Sequence, residues 1–311
     1  MPPAVDPRLK LRHLSLAVAI DETGSLRKAA DRLHITQAAA SHLLSELEFI
    51  IGAPLFARSR SGTRPTTIGT RLVERARPIL SNIRAATEEV QQVGDGQSGD
   101  VYVGVLHAAA MTIIPLAVQV ARKDNPGIRL HLIEGPSQQH LDSLLRGDLD
   151  LVVGRVPPAQ VSGLLHKEVL LVEPIEVVCR AGHPLALKAR LELADALTAD
   201  WILPESGSSL RDDFSLTFTK ANLEPPEPAI VTSSTVVRLS LIEGSDMLGV
   251  LPRRSALAHE HRGSLKILDF GLMFSHAPTL LLTRVDAIFS PAATAFVRHV
   301  RSAADQLTVD V

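Results

Sequence analysis

At 311 residues and 33.5 kDa the chain is long enough for two or three domains with buried cores. Hydrophobic residues at 45% against 21% charged exclude a disordered or collagen-like polymer, and no stretch approaches the roughly 20 apolar residues of a membrane span. The net charge of −2 hides an asymmetry, because residues 8–84 carry +7 and residues 85–311 carry −8.

A basic quarter on an acidic body suggests a nucleic-acid-binding head joined to something else. Met1 to Arg12 lacks the apolar run of a secretory signal. The single cysteine, Cys179, excludes an internal disulfide and a cysteine-built zinc site, and in its apolar run it reads as core rather than redox sensor. The expectation is a cytoplasmic protein with no membrane partner, no metal and no cofactor.

Leu11, Leu14, Ala17 and Val18 recur at helical spacing up to Gly24. Ser25 reads as the N-cap of a second helix through Leu33, and Thr36 as that of a third to about Ile51, with Ala40, Leu44 and Leu47 inward. Small Ala29 and Ala30 permit the close approach of a helix-turn-helix. The third helix then exposes Gln37, Ala38, Ser41, His42 and Ser45, of which the polar members can reach base edges in a major groove. Beyond Gly52, Pro54-Leu55-Phe56 suits a strand pinned to the bundle. Arg58, Arg60 and Arg64 around Ser61-Gly62 suit a basic wing lying on phosphates.

Ala29-Ala30 through Leu33, Thr36-Gln37, Ser41, Leu47-Glu48, Gly52, Leu55-Phe56, Arg58, Gly62, Thr66 and Gly69 together resemble the winged helix-turn-helix of LysR-type transcriptional regulators. Many members differ in having Pro at the place of Ala38, a bulkier aliphatic at Ala40 and a basic residue at His42.

Leu72, Ala76, Ile79, Ile83, Ala86, Val90 and Val93 follow at alternating spacings of four and three, which reads as the seam of a two-helix coiled coil ahead of a face packed on its own domain, with a kink expected at Pro78. Dimerisation through such a linker helix is also what the resemblance implies. The domains expected are a head over 1–66, a linker over 67–93, a hinge over 94–99 and a body over 100–311.

The body alternates strands and helices, which predicts α/β lobes with parallel sheets. Lobe I takes about 100–170 and 275–311, and lobe II about 171–274. Two lobes joined by two crossings set a ligand cleft at the carboxyl ends of their strands. The candidates there are His107, Ser137, Arg155, Ser206, Ser208, Ser209, Ser233, Ser234 and Thr235. The serine clusters precede predicted helices, where they either cap ordinarily or help hold an anion such as a carboxylate. Arg155 is either a counter-charge or an exposed surface arginine.

The body resembles the effector-binding domain of LysR-type regulators, itself similar to periplasmic solute-binding proteins. Many members place Ser or Thr where this chain has His107. The resemblance implies a transcriptional regulator acting on double-stranded DNA as a dimer or tetramer, responsive to a small molecule and touching RNA polymerase if it activates. A free solute-binding protein leaves the basic head unexplained. An α/β enzyme would need a nucleophile elbow, a dinucleotide fingerprint or a P-loop, none of which the sequence carries. Catalysis is therefore not expected.

Overall fold

The first apolar positions wind into three helices: α1 (Leu11–Thr23), α2 (Leu26–Arg32) and α3 (Gln37–Ile51). The structure, a computed structural model, describes residues 6–59, 62–91, 98–157, 160–188, 190–270 and 278–309. The chain forms two compact units, built mainly on residues up to 96 and from 97 onward. Arg60, Val93 and most of the expected hinge lie outside the described residues.

Ser25 Oγ accepts from the Lys28 amide at 3.4 Å and Thr36 Oγ1 from the Ala39 amide at 3.2 Å, so each hydroxyl satisfies an amide that its helix cannot. Leu16, Ala19, Ile20, Leu26, Ala29, Ala30, Ala40 and Leu43 form the shared core. The sequence spacing turns Leu44 inward, but the buried stripe of α3 is Ala40, Leu43 and Leu47, with Leu44 half-buried on its flank. Leu11 is about half exposed, because the buried face of α1 starts only at His13 and Leu14.

A hairpin of β1 (Phe56–Ser59) and β2 (Gly62–Pro65) follows. Glu48 Oε1 accepts from the Leu55 amide at 2.7 Å and the Phe56 amide at 3.3 Å, tying the hairpin to α3. The Thr63 amide donates to the Gly24 carbonyl at 2.8 Å. Gly62, at φ 119°, has no room for a side chain, since a Cβ would lie 2.7 Å from that same oxygen.

Thr66 bonds the Pro54 carbonyl at 2.9 Å and receives the Gly69 amide at 3.1 Å, starting α4 (Thr67–Gln91). Gly69 is pressed against Leu55, whose carbonyl oxygen would be 1.9 Å from an added Cβ. The helix continues through Pro78 as one element. Buried Arg77 fixes it to α1, donating to Glu22 Oε1 at 2.5 Å and Asp21 Oδ2 at 2.9 Å. These bonds outweigh the effect of burial and raise the guanidinium above its ordinary range. Glu22 also holds Arg32 of α2 at 2.5 Å.

In the second unit, β3 (Gly99–Val105), β4 (Ile128–Glu134), β5 (Leu151–Gly154), β6 (Leu165–Val172) and β12 (Pro278–Arg284) form a sheet ordered β4-β3-β5-β12-β6. The parallel pairing expected from the alternation holds for β3 with β4 and β5, whereas β12 is antiparallel to β5 and β6. A strand returning from the other lobe comes in at the carboxyl end of β5 and must run back along it. Helices α5 (His107–Met111), α6 (Ile113–Asp124), α7 (Ser137–Arg146) and α12 (Pro291–Val309) complete this lobe.

The other lobe is also only partly parallel. Its β7 (Ile175–Arg180) pairs antiparallel with β10 (Gly249–Pro252) and β11 (Leu265–Leu268), while β8 (Ile202–Leu203) and β9 (Ile230–Val231) run parallel. Helices α8 (Leu193–Ala196), α9 (Ser209–Lys220), α10 (Thr235–Gly244) and α11 (Arg253–His261) belong to it. Its core centres on Trp201, which meets Phe214 edge-on at 4.7 Å and donates its indole N–H to the Ala196 carbonyl at 2.8 Å. Cys179 is fully buried in that core, and burial pushes its thiol up to about 11.

Two outcomes follow from this packing. Gly69→Ala should destabilise the protein by about 3 kcal/mol, because the clash is with backbone, as measured by chemical denaturation. The Cys179 thiol should stay unlabelled by iodoacetamide at pH 8 in the native protein and react once denatured; rapid native labelling would contradict its burial.

Candidate nucleic-acid interface and effector cleft

Burying Ala40, Leu43 and Leu47 leaves Gln37, Ala38, Ser41, His42 and Ser45 exposed along the other side of α3. The turn before them is sharp: His34 takes a left-handed φ of 55°, and the Ile35 amide returns to the Ala30 carbonyl at 3.0 Å. His42 Nδ1 lies 3.6 Å from Glu46 Oε2, an oxygen that is also 3.4 Å from buried His13 and 3.7 Å from Arg12. The bond from His13, reinforced by the charges around it, holds the Glu46 carboxyl below its usual range.

Arg64 is exposed on β2 opposite Ala57, and Arg58 stands opposite Thr63 on β1. Arg27 and Lys28, exposed on the first turn of α2, add basic groups that the sequence reading passed over. The available signal was their position directly after the Ser25 cap, where the first helix of such a motif crosses a DNA backbone.

Much of the family signature lies behind this surface rather than on it. Glu48 holds the hairpin amides, Gly62 and Gly69 permit close backbone approach, and Thr66 caps α4.

In the body, His107 opens α5 at the carboxyl end of β3 and spans the two lobes. Its Nε2 sits 2.6 Å from the Ser233 carbonyl oxygen, so it carries the proton and donates; Glu134 Oε1 is 3.6 Å away. Ser234 Oγ accepts from the Val237 amide at 3.3 Å and Thr235 opens α10, so the structure brings His107, Glu134 and Ser233 to Thr235 together.

The remaining candidates are in different states. Ser208 caps α9, accepting from the Arg211 amide at 3.4 Å and donating to the Glu205 carbonyl at 2.8 Å. Ser206 is exposed in the preceding turn and Ser209 is half-buried. Ser137 donates to Gln160 Oε1 at 2.6 Å. Arg155 is not an exposed surface arginine. It is buried, donates to the Glu173 carbonyl at 3.0 Å and lies 3.8 Å from Glu173 Oε1. Burial pushes the Glu173 carboxyl up and the Arg155 guanidinium down. The counter-charge of Arg155 is therefore within the protein, where the two lobes cross.

One buried cation escaped the sequence reading. Arg238 is 3% exposed on α10, one turn into the helix, and its Nη2 donates to Thr235 Oγ1 at 3.4 Å. The signal was a cation four residues before Ile242, on the apolar face of a helix.

Among the described residues no group of three or more His, Cys, Asp or Glu side chains could hold a metal, and no helix is long and apolar enough to cross a membrane.

Residues 11–70 match the bacterial regulatory helix-turn-helix of the lysR family, and residues 94–305 the LysR substrate binding domain. The chain is 33% identical over 299 residues to the HTH-type transcriptional regulator GbpR of Azospirillum brasilense, covering 96% of this chain and 87% of that one. It is 30% identical over 304 residues to the HTH-type transcriptional regulator PcaQ of Agrobacterium fabrum (strain C58 / ATCC 33970), covering 97% of each. Its fold is similar to that of ArgP from Mycobacterium tuberculosis, with a TM-score of 0.73 at 19% identity over 95% of this chain and 97% of that one. With that family's DNA-binding head at its start and its ligand-binding domain after the linker helix, the chain belongs to the LysR family of bacterial transcriptional regulators.

Proposed function

We propose that this regulator acts in the cytoplasm as a dimer or a dimer of dimers. It sets α3 of successive heads into major grooves of an interrupted palindrome, with half-sites about one helical turn or a multiple apart. The observation that carries this reading is the exposed face of α3. Gln37, Ser41, His42 and Ser45 stand clear of the core, held out by the buried stripe behind them. These side chains read bases, beside Ala38. Arg58, Arg60 and Arg64 of the wing, together with Arg27 and Lys28, grip phosphates.

Dimerisation is supported by α4, where Ile79, Ile83, Ala86 and Val90 are exposed at coiled-coil spacing. The effector is taken between the lobes of the body, where His107 reaches across to Ser233. A ligand that binds one arrangement of the lobes more tightly than another shifts the DNA-bound state. Where the protein activates, its bound form meets RNA polymerase.

The test is DNA binding by the full chain at several salt concentrations, on a selected site and on random DNA. Gln37→Ala should cost about 1–3 kcal/mol on the selected site and little on random DNA. Arg64→Ala should weaken both alike and flatten the log–log salt slope by about 0.9. Equal losses on both DNAs for Gln37→Ala, or a site-selective loss for Arg64→Ala, would reverse the roles given to α3 and the wing.

A further inference from the structure

Of Gln37, Ala38, Ser41, His42 and Ser45 on the exposed face of α3, only His42 carries a side chain of the kind that changes charge near neutral pH. That side chain is 75% exposed, and its Nδ1 lies 3.6 Å from Oε2 of Glu46, one helical turn further along. The two ring nitrogens point in different directions. A ring turned with Nδ1 toward Glu46 therefore leaves Nε2 for an acceptor outside the helix.

Glu46 is itself fixed from behind. His13 of α1 is 1% exposed, and its Nδ1 accepts from the Lys10 amide at 3.1 Å, so its proton sits on Nε2. That Nε2 donates to the same Glu46 oxygen at 3.4 Å, and Arg12 of α1 stands 3.7 Å from it. The bond from His13 and the charges beside it hold the Glu46 carboxyl below its usual range. It is therefore anionic throughout the span in which an imidazole titrates. Arg12 is the charge that faces His42 from α1 across a shared hollow, whose other lining residues, Ser15, Leu33, Ile35, Ala39 and Leu43, are uncharged. Arg12 offsets part of the negative charge of Glu46, and the phosphates of a bound duplex add to it.

We infer that Glu46 is a positioning residue for His42, and that the head takes up one proton at His42 when α3 enters the groove. This rests on the reading of α3 as the base-reading helix. Between the Glu46 carboxylate and the negative charge of the duplex, the imidazole is favoured in its cationic form. Protonated at both nitrogens, it directs Nδ1–H to Glu46 and Nε2–H to an acceptor on the DNA, such as N7 or O6 of guanine. A neutral ring has one N–H and cannot serve both sides at once. The bound state holds the extra proton, so affinity rises as pH falls, at most about tenfold per pH unit for one proton. The head is thereby sensitive to acid through its own α3, independently of the body.

The experiment measures DNA binding by the full chain at fixed salt from about pH 8 to about pH 6, on a selected site and on random DNA. Circular dichroism checks the fold of each variant. Wild-type affinity for the selected site should rise about tenfold over that range, and affinity for random DNA much less. His42→Gln should flatten the profile at its weak, high-pH level, and His42→Arg, always charged, at its tight, low-pH level. Glu46→Gln keeps an oxygen for His13 and should move the midpoint to lower pH by up to about 0.7 unit, the worth of an exposed ion pair. A wild-type affinity indifferent to pH, or a dependence that persists in His42→Gln, overturns the proton uptake. A loss in Glu46→Gln that is equal at every pH makes Glu46 structural and overturns its positioning role. Equal pH dependence on the two DNAs supports the proton uptake but overturns base reading by His42, moving its contact to phosphate.

Discussion

Hydroxyls at N-caps start several helices in both halves of this protein. A helix begins with amides that it cannot bond itself, and a Ser or Thr placed just before it satisfies one of them. Ser25 and Thr36 do so in the head, and Ser208 and Ser234 in the body. In the head, the Thr36 cap fixes where α3 begins, and hence which residues its exposed face presents. In the body the same device sits at the starts of α9 and α10, which follow strands β8 and β9. One local rule thus fixes where the exposed face of α3 begins and where α9 and α10 begin.

The head was more legible in the sequence than the body, for a physical reason. Its elements are short, local and amphipathic, so apolar spacing and capping residues define them within a few positions. The one-residue shift from Leu44 to Leu43 reflects how α3 is rolled against α1 and α2, which spacing alone leaves open. Signature residues such as Glu48 and Gly69 marked the family, yet their work is to hold amides and admit a close backbone, and only coordinates reveal that.

The body's alternation of strands and helices was readable, while the direction of β12 was not, because that depends on where the chain re-enters after the second lobe. Its charges were the least legible. Arg155 and Arg238 look alike in a sequence, each a lone cation in an apolar stretch. Burial beside Glu173 makes the first a structural pair at the lobe crossing. For the second, burial lowers the guanidinium to about 10, and among the described residues no carboxylate offsets it. The candidate serines also divide, since Ser208 and Ser234 are engaged as caps and Ser233 contributes its backbone carbonyl.

Glu22 is shared between Arg32 of α2 and Arg77 of α4, and Asp21 beside it takes the other arm of Arg77. Three helices of the head are thereby riveted at one point, so α4 behaves mechanically as a handle fixed to the recognition surface rather than as a tether. Its 25 residues span about 37 Å at the rise of an α-helix. Swinging the far end of such a lever by about 3 Å turns the head by roughly 5°, and 3 Å is close to the spacing of successive base pairs along a duplex. Small movements at the handle are thus large enough to matter on the scale of the groove.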